Sequence, residues 1–443
     1  MESIRLKDWQ VPLADHQTDV LKRGNVFLCA ATTGAGKTYL ACQTIKDLGL
    51  PTLVVVPKIA ISQWRHVAEG MGVKDLVLDV VNPEQLSKKT GCYWYRHEDG
   101  WTPDSRDPKL LVWDETHRSC SGPDSKSTLA LARWCNKAHP DHKVLAMSAT
   151  PFDSPIKMRA LGYLMGFYRF VDNNFYAWCR SHGCANEIIG RYPRVRQIFR
   201  FTTNTKRAQE IMAGIRMDMG ERFLSIGPDE IPGFPDEVKE VVMVDLAKKD
   251  HDALVKAYEE MPERIKGMSE DDMVRTLRLR QQAEFCKAEA IAEMACDLVE
   301  DGYSVFIALN FTDARLRIED YLRSRKIGYA SIYGGQKETE RQAGIDAFQA
   351  NKTYVMVGMM PACSVALSLH DERHERKRVS LISPGYSASE MSQSLGRIRR
   401  VGGTTAVQKI IIAAGSVEER VGRTIQRKLD CLSALTDSDL LRR

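Results

Sequence analysis

Two short clusters in this 443-residue sequence hold residue types that could handle a nucleotide phosphate. The first is ATTGAGKT, Ala31–Thr38. Gly34 and Gly36 let backbone amides approach phosphate oxygens with no side chain in the way, so Thr33, Gly34, Ala35 and Gly36 read as an anion cradle. Lys37 can reach the β- and γ-phosphates, and the Thr38 hydroxyl can ligate Mg²⁺. The second cluster closes the apolar run LLVWDETHR with Asp114 and Glu115. One carboxylate there can hold Mg²⁺ and its neighbour can accept a proton from an attacking water. An ordinary acidic strand end would look the same in isolation; its pairing with the phosphate loop favours the chemical reading.

The elements that must carry these clusters are legible. NVFLCA precedes the glycine loop and the helical stretch YLACQTIKDLG follows it, the strand–loop–helix order a phosphate loop requires. TLVVVP, LVLDVV, KLLVWDE and KVLAMSA continue the pattern as short apolar runs separated by helical stretches. Strands buried on both faces of a parallel sheet read this way. A second set, SVFIALN, YASIY, TYVMVG, RVSLIS and VQKIIIAAG, lies in the other half. The expected fold is α/β, two parallel-sheet lobes joined by a helical linker region. The boundaries are residues 1–226 for the first lobe, 227–284 for the linker and 285–443 for the second lobe. Gly227–Glu237, rich in proline and glycine, reads as the linker proper, and Ala247–Val299 as solvated connecting helices.

Composition narrows the class. The apolar fraction is 43% and the charged fraction 27%, which excludes collagen-like and wholly disordered chains. The net charge of +5 permits a polyanionic partner without requiring one. No apolar run has the length of a membrane helix, and the opening MESIRLKDWQ lacks the apolar stretch of a signal peptide. The expectation is a cytoplasmic protein of a bacterium or phage-infected cell, or a nuclear one if eukaryotic, with reduced cysteines and no membrane partner.

Together, the Lys37 loop, the DETH box and SATP (Ser148–Pro151) resemble motifs I, II and III of superfamily 2 helicases. QSLGRIRR (Gln393–Arg400) resembles motif VI, and Arg397 and Arg400 would then face the γ-phosphate, where charge develops during phosphoryl transfer. Within that superfamily the pattern is most similar to Swi/Snf-type ATPases of the annealing-helicase branch, in a minimal two-lobe form. The likeness implies two RecA-like lobes with ATP and Mg²⁺ between them. It implies an adenine-reading segment at Leu13–Leu21 with Gln17 as its glutamine. It implies coupling residues Ser148, Ala149, Thr150 and Gln393, and nucleic-acid contacts at Pro57, Lys58 and Ser364. A C-terminal helix, Ala413–Leu429, would brace the lobes. The implied activity is a DNA-dependent ATPase that moves on duplex or forked DNA. RNA remains open as a ligand, and so do protein partners in replication or repair. A strand-separating helicase and a motor or scaffold subunit of a repair or restriction assembly are the competing readings.

Some features depart from that pattern or stand outside it. Where motif V is glycine-rich in the family, this chain has Ala362–Leu369 without glycine, and Gly403 replaces a glutamine. The charged run Asp371–Arg378 reads as a solvated insert. The basic stretch Arg191–Arg207 includes Arg194 and Arg196 interleaved with aromatic residues. It could track a phosphate backbone or simply keep an exposed strand pair soluble. Cys179, His182 and Cys184, and likewise Cys135, His139 and His142, lack paired zinc-ligand spacing and read as incidental. The aromatic stretch Cys92–Trp101 could stack bases, or pack locally as an Ω-type loop.

Overall fold

The computed structural model describes residues 4–86, 108–119, 142–169, 174–189, 196–259, 270–363 and 367–436. The chain forms two compact units. One comprises Met1–Ala185, Phe199–Pro232 and Asp430–Arg443; the other comprises Asn186–Ile198 and Gly233–Leu429.

The first unit is built on β1 (Val26–Cys29), β2 (Thr52–Val55), β3 (Val77–Val81), β4 (Leu110–Asp114) and β5 (Lys143–Met147). β6 (Cys184–Ile189) and β7 (Arg196–Phe201) pair in a separate two-stranded sheet, part of which, Asn186–Ile198, belongs to the second unit, and β8 (Phe223–Leu224) completes the main one. The main sheet has six strands in the order β3-β2-β4-β5-β1-β8, every pair parallel. All four residues of β1 and of β2 are buried, as expected of strands covered on both faces. The helices Val11–Arg23, Lys37–Leu48, Ile61–Gly70 and Thr205–Met219 belong to this unit. The last begins where the Asn204 side chain accepts a hydrogen bond from Arg207 N, a capping bond that satisfies one of the free amides of the first turn. Its Met212 and Ile215 pack with Leu28, Leu53, Leu111 and Trp113 in the core.

The second unit is built on β9 (Glu237–Val244), β10 (Ser304–Leu309), β11 (Tyr329–Ile332), β12 (Val355–Met359), β13 (Arg378–Ile382) and β14 (Ala406–Ala413). Its sheet also has six strands, ordered β11-β12-β10-β13-β14-β9 and parallel throughout. Two buried polar clusters fix the ends of these strands. The Glu284 carboxylate accepts bonds from Asn310 N, Phe311 N, Asn310 Nδ2 and Ser383 Oγ. The fully buried Lys287 donates to Glu418 Oε2 and to Ile411 O, each at 2.6 Å.

The expected strands of both sheets are present, and three expectations need correction. The span 227–284 is not a linker throughout: β9 is the edge strand of the second sheet and pairs with β14 over its whole length. Four of its consecutive residues, Val238–Val241, are solvent-exposed, and its first half, Glu237–Glu240, carries three charged residues that read as a charged connector. Ala247–Val299 is helical, as Lys248–Glu259, Glu270–Cys286 and Ala288–Glu300, but the third helix is not a solvated connector. It buries Ile291, Ala292 and Ala295 in the core of the second unit. The Asp371–Arg378 run is anchored at both ends, since Asp371 and Arg378 are buried and only the middle is exposed. Finally, the C-terminal helix Val417–Thr436 starts in the second unit, while its Cys431, Ala434 and Leu435 are core residues of the first.

Candidate nucleotide site and its supporting residues

The glycine loop leaves β1 and enters the Lys37–Leu48 helix directly. Gly34 and Gly36 have φ of 90° and 80°, backbone conformations that side chains with a Cβ rarely adopt. Gly36 has a second constraint: a Cβ there would lie 2.4 Å from Gln10 Nε2. Ala35 is buried, and its carbonyl accepts a hydrogen bond from Gln10 Nε2 at 2.9 Å. Lys37 folds back over its own loop, donating to Ala31 O at 3.0 Å and Thr32 O at 3.3 Å. The loop is tied to the sheet edge by Ala30 N to Leu224 O and Thr32 N to Ile226 O. Thr38 occupies the first turn of the helix, whose free amides and dipole favour an anion.

Asp114 ends β4, two strands away from β1 in the sheet. Its Oδ1 accepts from Glu115 N at 2.9 Å and its Oδ2 from Trp64 Nε1 at 2.8 Å. Burial and the neighbouring Glu115 push its carboxyl up to about 6, while the Trp64 bond, Lys37 and the Glu115 amide pull the other way. The opposing pull of Lys37 places the ammonium and this carboxylate in one electrostatic field. The two hard carboxylate oxygens of Asp114 and the Thr38 hydroxyl are donors of the kind Mg²⁺ takes. Glu115 has φ of 51°, a strained left-handed conformation for a residue with a side chain.

A polar chain continues from Glu115. His117 Nδ1 lies 3.2 Å from Glu115 Oε2 and 2.9 Å from Ser148 Oγ. Ser148 Oγ in turn accepts from Thr150 N at 3.1 Å. Thr116 Oγ1 donates to Met147 O, pinning the end of β4 to the end of β5. The residues expected to couple, Ser148 and Thr150, are therefore linked to Glu115 through His117, with Ala149 between them in the backbone.

Gln17, expected to read adenine, is fully buried, and its Nε2 donates to Thr44 Oγ1 at 2.8 Å. The glutamine at the loop is Gln10, immediately before the Val11–Arg23 helix. Gln17 lies two turns along that helix, on the face packed against Lys37–Leu48. Gln10, Trp64 and His117 are the residues that sequence reasoning missed. A buried indole N–H needs a partner, so Trp64 was open to being read as more than core.

In the second unit, Arg397 and Arg400 converge on one carbonyl. Arg397 Nη1 donates to Leu367 O at 2.9 Å and Arg400 Nη2 to the same oxygen at 2.7 Å. Arg397 and Gln393 are both buried, Gln393 on the Ala388–Leu395 helix. His370 lies beside Arg400 and Arg378; burial and those two cations hold its imidazole down at about 4. A Cβ at Gly403 would sit 3.2 Å from the His370 ring, so the position that departs from the family pattern is also crowded.

Of the expected nucleic-acid contacts, Pro57 is buried and Lys58 exposed at the start of the turn before the Ile61–Gly70 helix. Arg196 begins β7. Arg194, Ser364, Cys135, His139 and the Cys92–Trp101 stretch lie outside the described residues. Cys179 and Cys184 are buried in an aromatic cluster with Tyr168 and Phe175 and share a side-chain hydrogen bond. Among the described residues no helix is long and apolar enough to cross a membrane.

Residues 3–153 match the family model described as type III restriction enzyme, res subunit. A protein of Acanthamoeba polyphaga mimivirus, described as a candidate ATP-dependent RNA helicase, is 27% identical over 95% of this chain and 82% of its own length. The chromatin remodeling factor mit1 of Schizosaccharomyces pombe is 23% identical over 32% of this chain, and that alignment spans 10% of the factor. These likenesses support a superfamily 2 helicase with ATP-dependent activity, and the two six-stranded parallel sheets are the two RecA-like lobes of such a core.

Proposed function

We propose that this chain is an ATP-driven nucleic-acid translocase of the Swi/Snf type, acting on duplex or forked DNA. The observation that carries the reading is that the first unit holds both the glycine loop with Lys37 and the bonded set around Asp114 and Glu115. Lys37 opens the helix after the glycine loop and folds back on the loop, Asp114 ends β4 with Glu115 directly after it, and His117 joins Glu115 to Ser148.

In this reading the amides of Thr33–Gly36 and the Lys37 ammonium bind the phosphates of ATP. Thr38 and Asp114 hold Mg²⁺, which when bound offsets phosphate charge as the γ-phosphoryl leaves. Glu115 accepts a proton from the attacking water. Arg397 and Arg400 are the cations assigned to the charge developing on the γ-phosphate, after release from the Leu367 carbonyl they bind here. Ser148 and Thr150 report the state of Glu115 through His117. Lys58 and the basic β7 strand are assigned to phosphate-backbone contacts, which makes binding salt-dependent and largely independent of sequence.

DNA is preferred because the whole motif pattern resembles remodelling ATPases, one of which is among the similar proteins. RNA is the competing ligand, since the mimivirus relative is described as a candidate RNA helicase. ATPase rates with single-stranded DNA, duplex, forked DNA and RNA at fixed salt decide between them. The expected result is the largest stimulation by duplex or forked DNA. Triplex displacement measured beside unwinding of a tailed duplex separates translocation from strand separation. Undiminished turnover in Lys37→Ala or Glu115→Gln would overturn the assignment of the site.

A further inference from the structure

The indole N–H of Trp64 is unusual for a core tryptophan in where it points. The ring is 1% exposed, on the Ile61–Gly70 helix, and its only polar atom donates to Asp114 Oδ2 at 2.8 Å. The opposite oxygen, Oδ1, is held by the Glu115 amide at 2.9 Å. One donor thus grips each oxygen of the carboxylate, one from the backbone of the residue just past its own strand and one from a separate helix. Together they fix the rotation of the carboxylate plane. Neither donor consumes both lone pairs of its oxygen, so each oxygen keeps one to offer a cation.

We propose that Trp64 is a positioning residue for the metal: its N–H sets the orientation in which Asp114 meets Mg²⁺. The proposal rests on the assignment of Asp114 as a magnesium ligand in the preceding section. A donor at this place does for a carboxylate ligand what outer-shell partners do for metal-bound histidines, orienting the ligand before the ion arrives. It does so from the helix that follows the Lys58 turn, an element separate in sequence from β4.

The test is binding of a fluorescent, non-hydrolysable ATP analogue, titrated with Mg²⁺. Wild-type protein should show a clear Mg²⁺-dependent gain in affinity that Asp114→Asn largely abolishes; if it does not, the underlying site assignment fails. Given that gain, Trp64→Phe should raise the Mg²⁺ half-saturation about 10-fold or more, with affinity for the metal-free nucleotide unchanged. Val67→Ala removes buried volume on the same helix and should leave the half-saturation unmoved. In the Asp114→Asn background, Trp64→Phe should add nothing further. A half-saturation unchanged in Trp64→Phe, or changed equally in Val67→Ala, would overturn the proposal.

A second measurement needs no change at Trp64. The protein has seven tryptophans, so ¹⁵N-indole spectra are simple enough to follow. One indole resonance should shift on Asp114→Asn, and the same resonance should respond to Mg²⁺ and nucleotide in wild type. Absence of such a shared resonance would refute the contact.

Discussion

Replacing Gln10 should weaken nucleotide binding, and replacing Gln17 should not. Gln10 Nε2 donates to Ala35 O at 2.9 Å in a buried setting, and Gln10 Oε1 accepts from Lys7 N at 3.0 Å. Gln10→Ala deletes both bonds and leaves the Ala35 carbonyl without this donor. A lost buried bond of this kind costs about 1–2 kcal/mol once the abandoned acceptor is included. If that energy holds the loop in its binding shape, the Kd for nucleotide rises about 5- to 30-fold. Gln17→Met is the matched control. It keeps the volume, removes the bond to Thr44 Oγ1, and also removes a buried Oε1 that has no partner among the described residues. Its cost in stability should stay below about 1.5 kcal/mol. Equilibrium titration with a fluorescent ATP analogue reads the affinities, and thermal melting checks each fold. A folded Gln17→Met protein that loses affinity as strongly as Gln10→Ala would refute the reasoning.

Further consequences can be measured independently. Ser148→Ala removes the acceptor for Thr150 N and one of the partners of His117, so the ratio of nucleic-acid-stimulated to basal ATPase should fall several-fold, as read by coupled-enzyme rates. Lys287→Met should destabilise the fold by about 3–5 kcal/mol because it strands a buried Glu418 carboxylate. Adding Glu418→Gln should recover much of that loss in urea unfolding. His370 has its folded value depressed to about 4, below the ordinary 6.5. The unfolded chain therefore binds a proton first as pH falls, and stability is lost progressively from about 6.5 down to about 4. His370→Asn should flatten that part of the stability–pH curve.

The strands of both sheets could be read because each is a short apolar run between turns, a local signal that burial on two faces imposes. The phosphate loop was equally legible, since Gly34 and Gly36 must adopt positive φ and the helix must follow at once. β9 escaped because an edge strand meets water: its first half, Glu237–Glu240, carries two glutamates and a lysine and mimics a charged connector. Ala288–Glu300 was mistaken for a solvated helix because one apolar face suffices to bury it while the rest stays charged. The Asp371–Arg378 run shows the converse, where the charge of a residue says nothing of its burial once a partner or a packed ring accepts it.

Sequence alone determined the chemistry on offer: a lysine on a glycine loop, adjacent carboxylates at a strand end, and an arginine pair far along the chain. Local backbone requirements and residue type are enough for that. The tertiary structure decided which polar groups meet. It put Gln10 rather than Gln17 at the loop and Trp64 on Asp114, and it placed His117 between Glu115 and Ser148. These contacts join residues dozens of positions apart, or separate a glutamine just before a helix from one two turns into it by where each side chain reaches. Only the packing of helices on the sheet fixes such distances, because hydrogen bonds reach about 3 Å and sequence spacing does not encode that reach across elements.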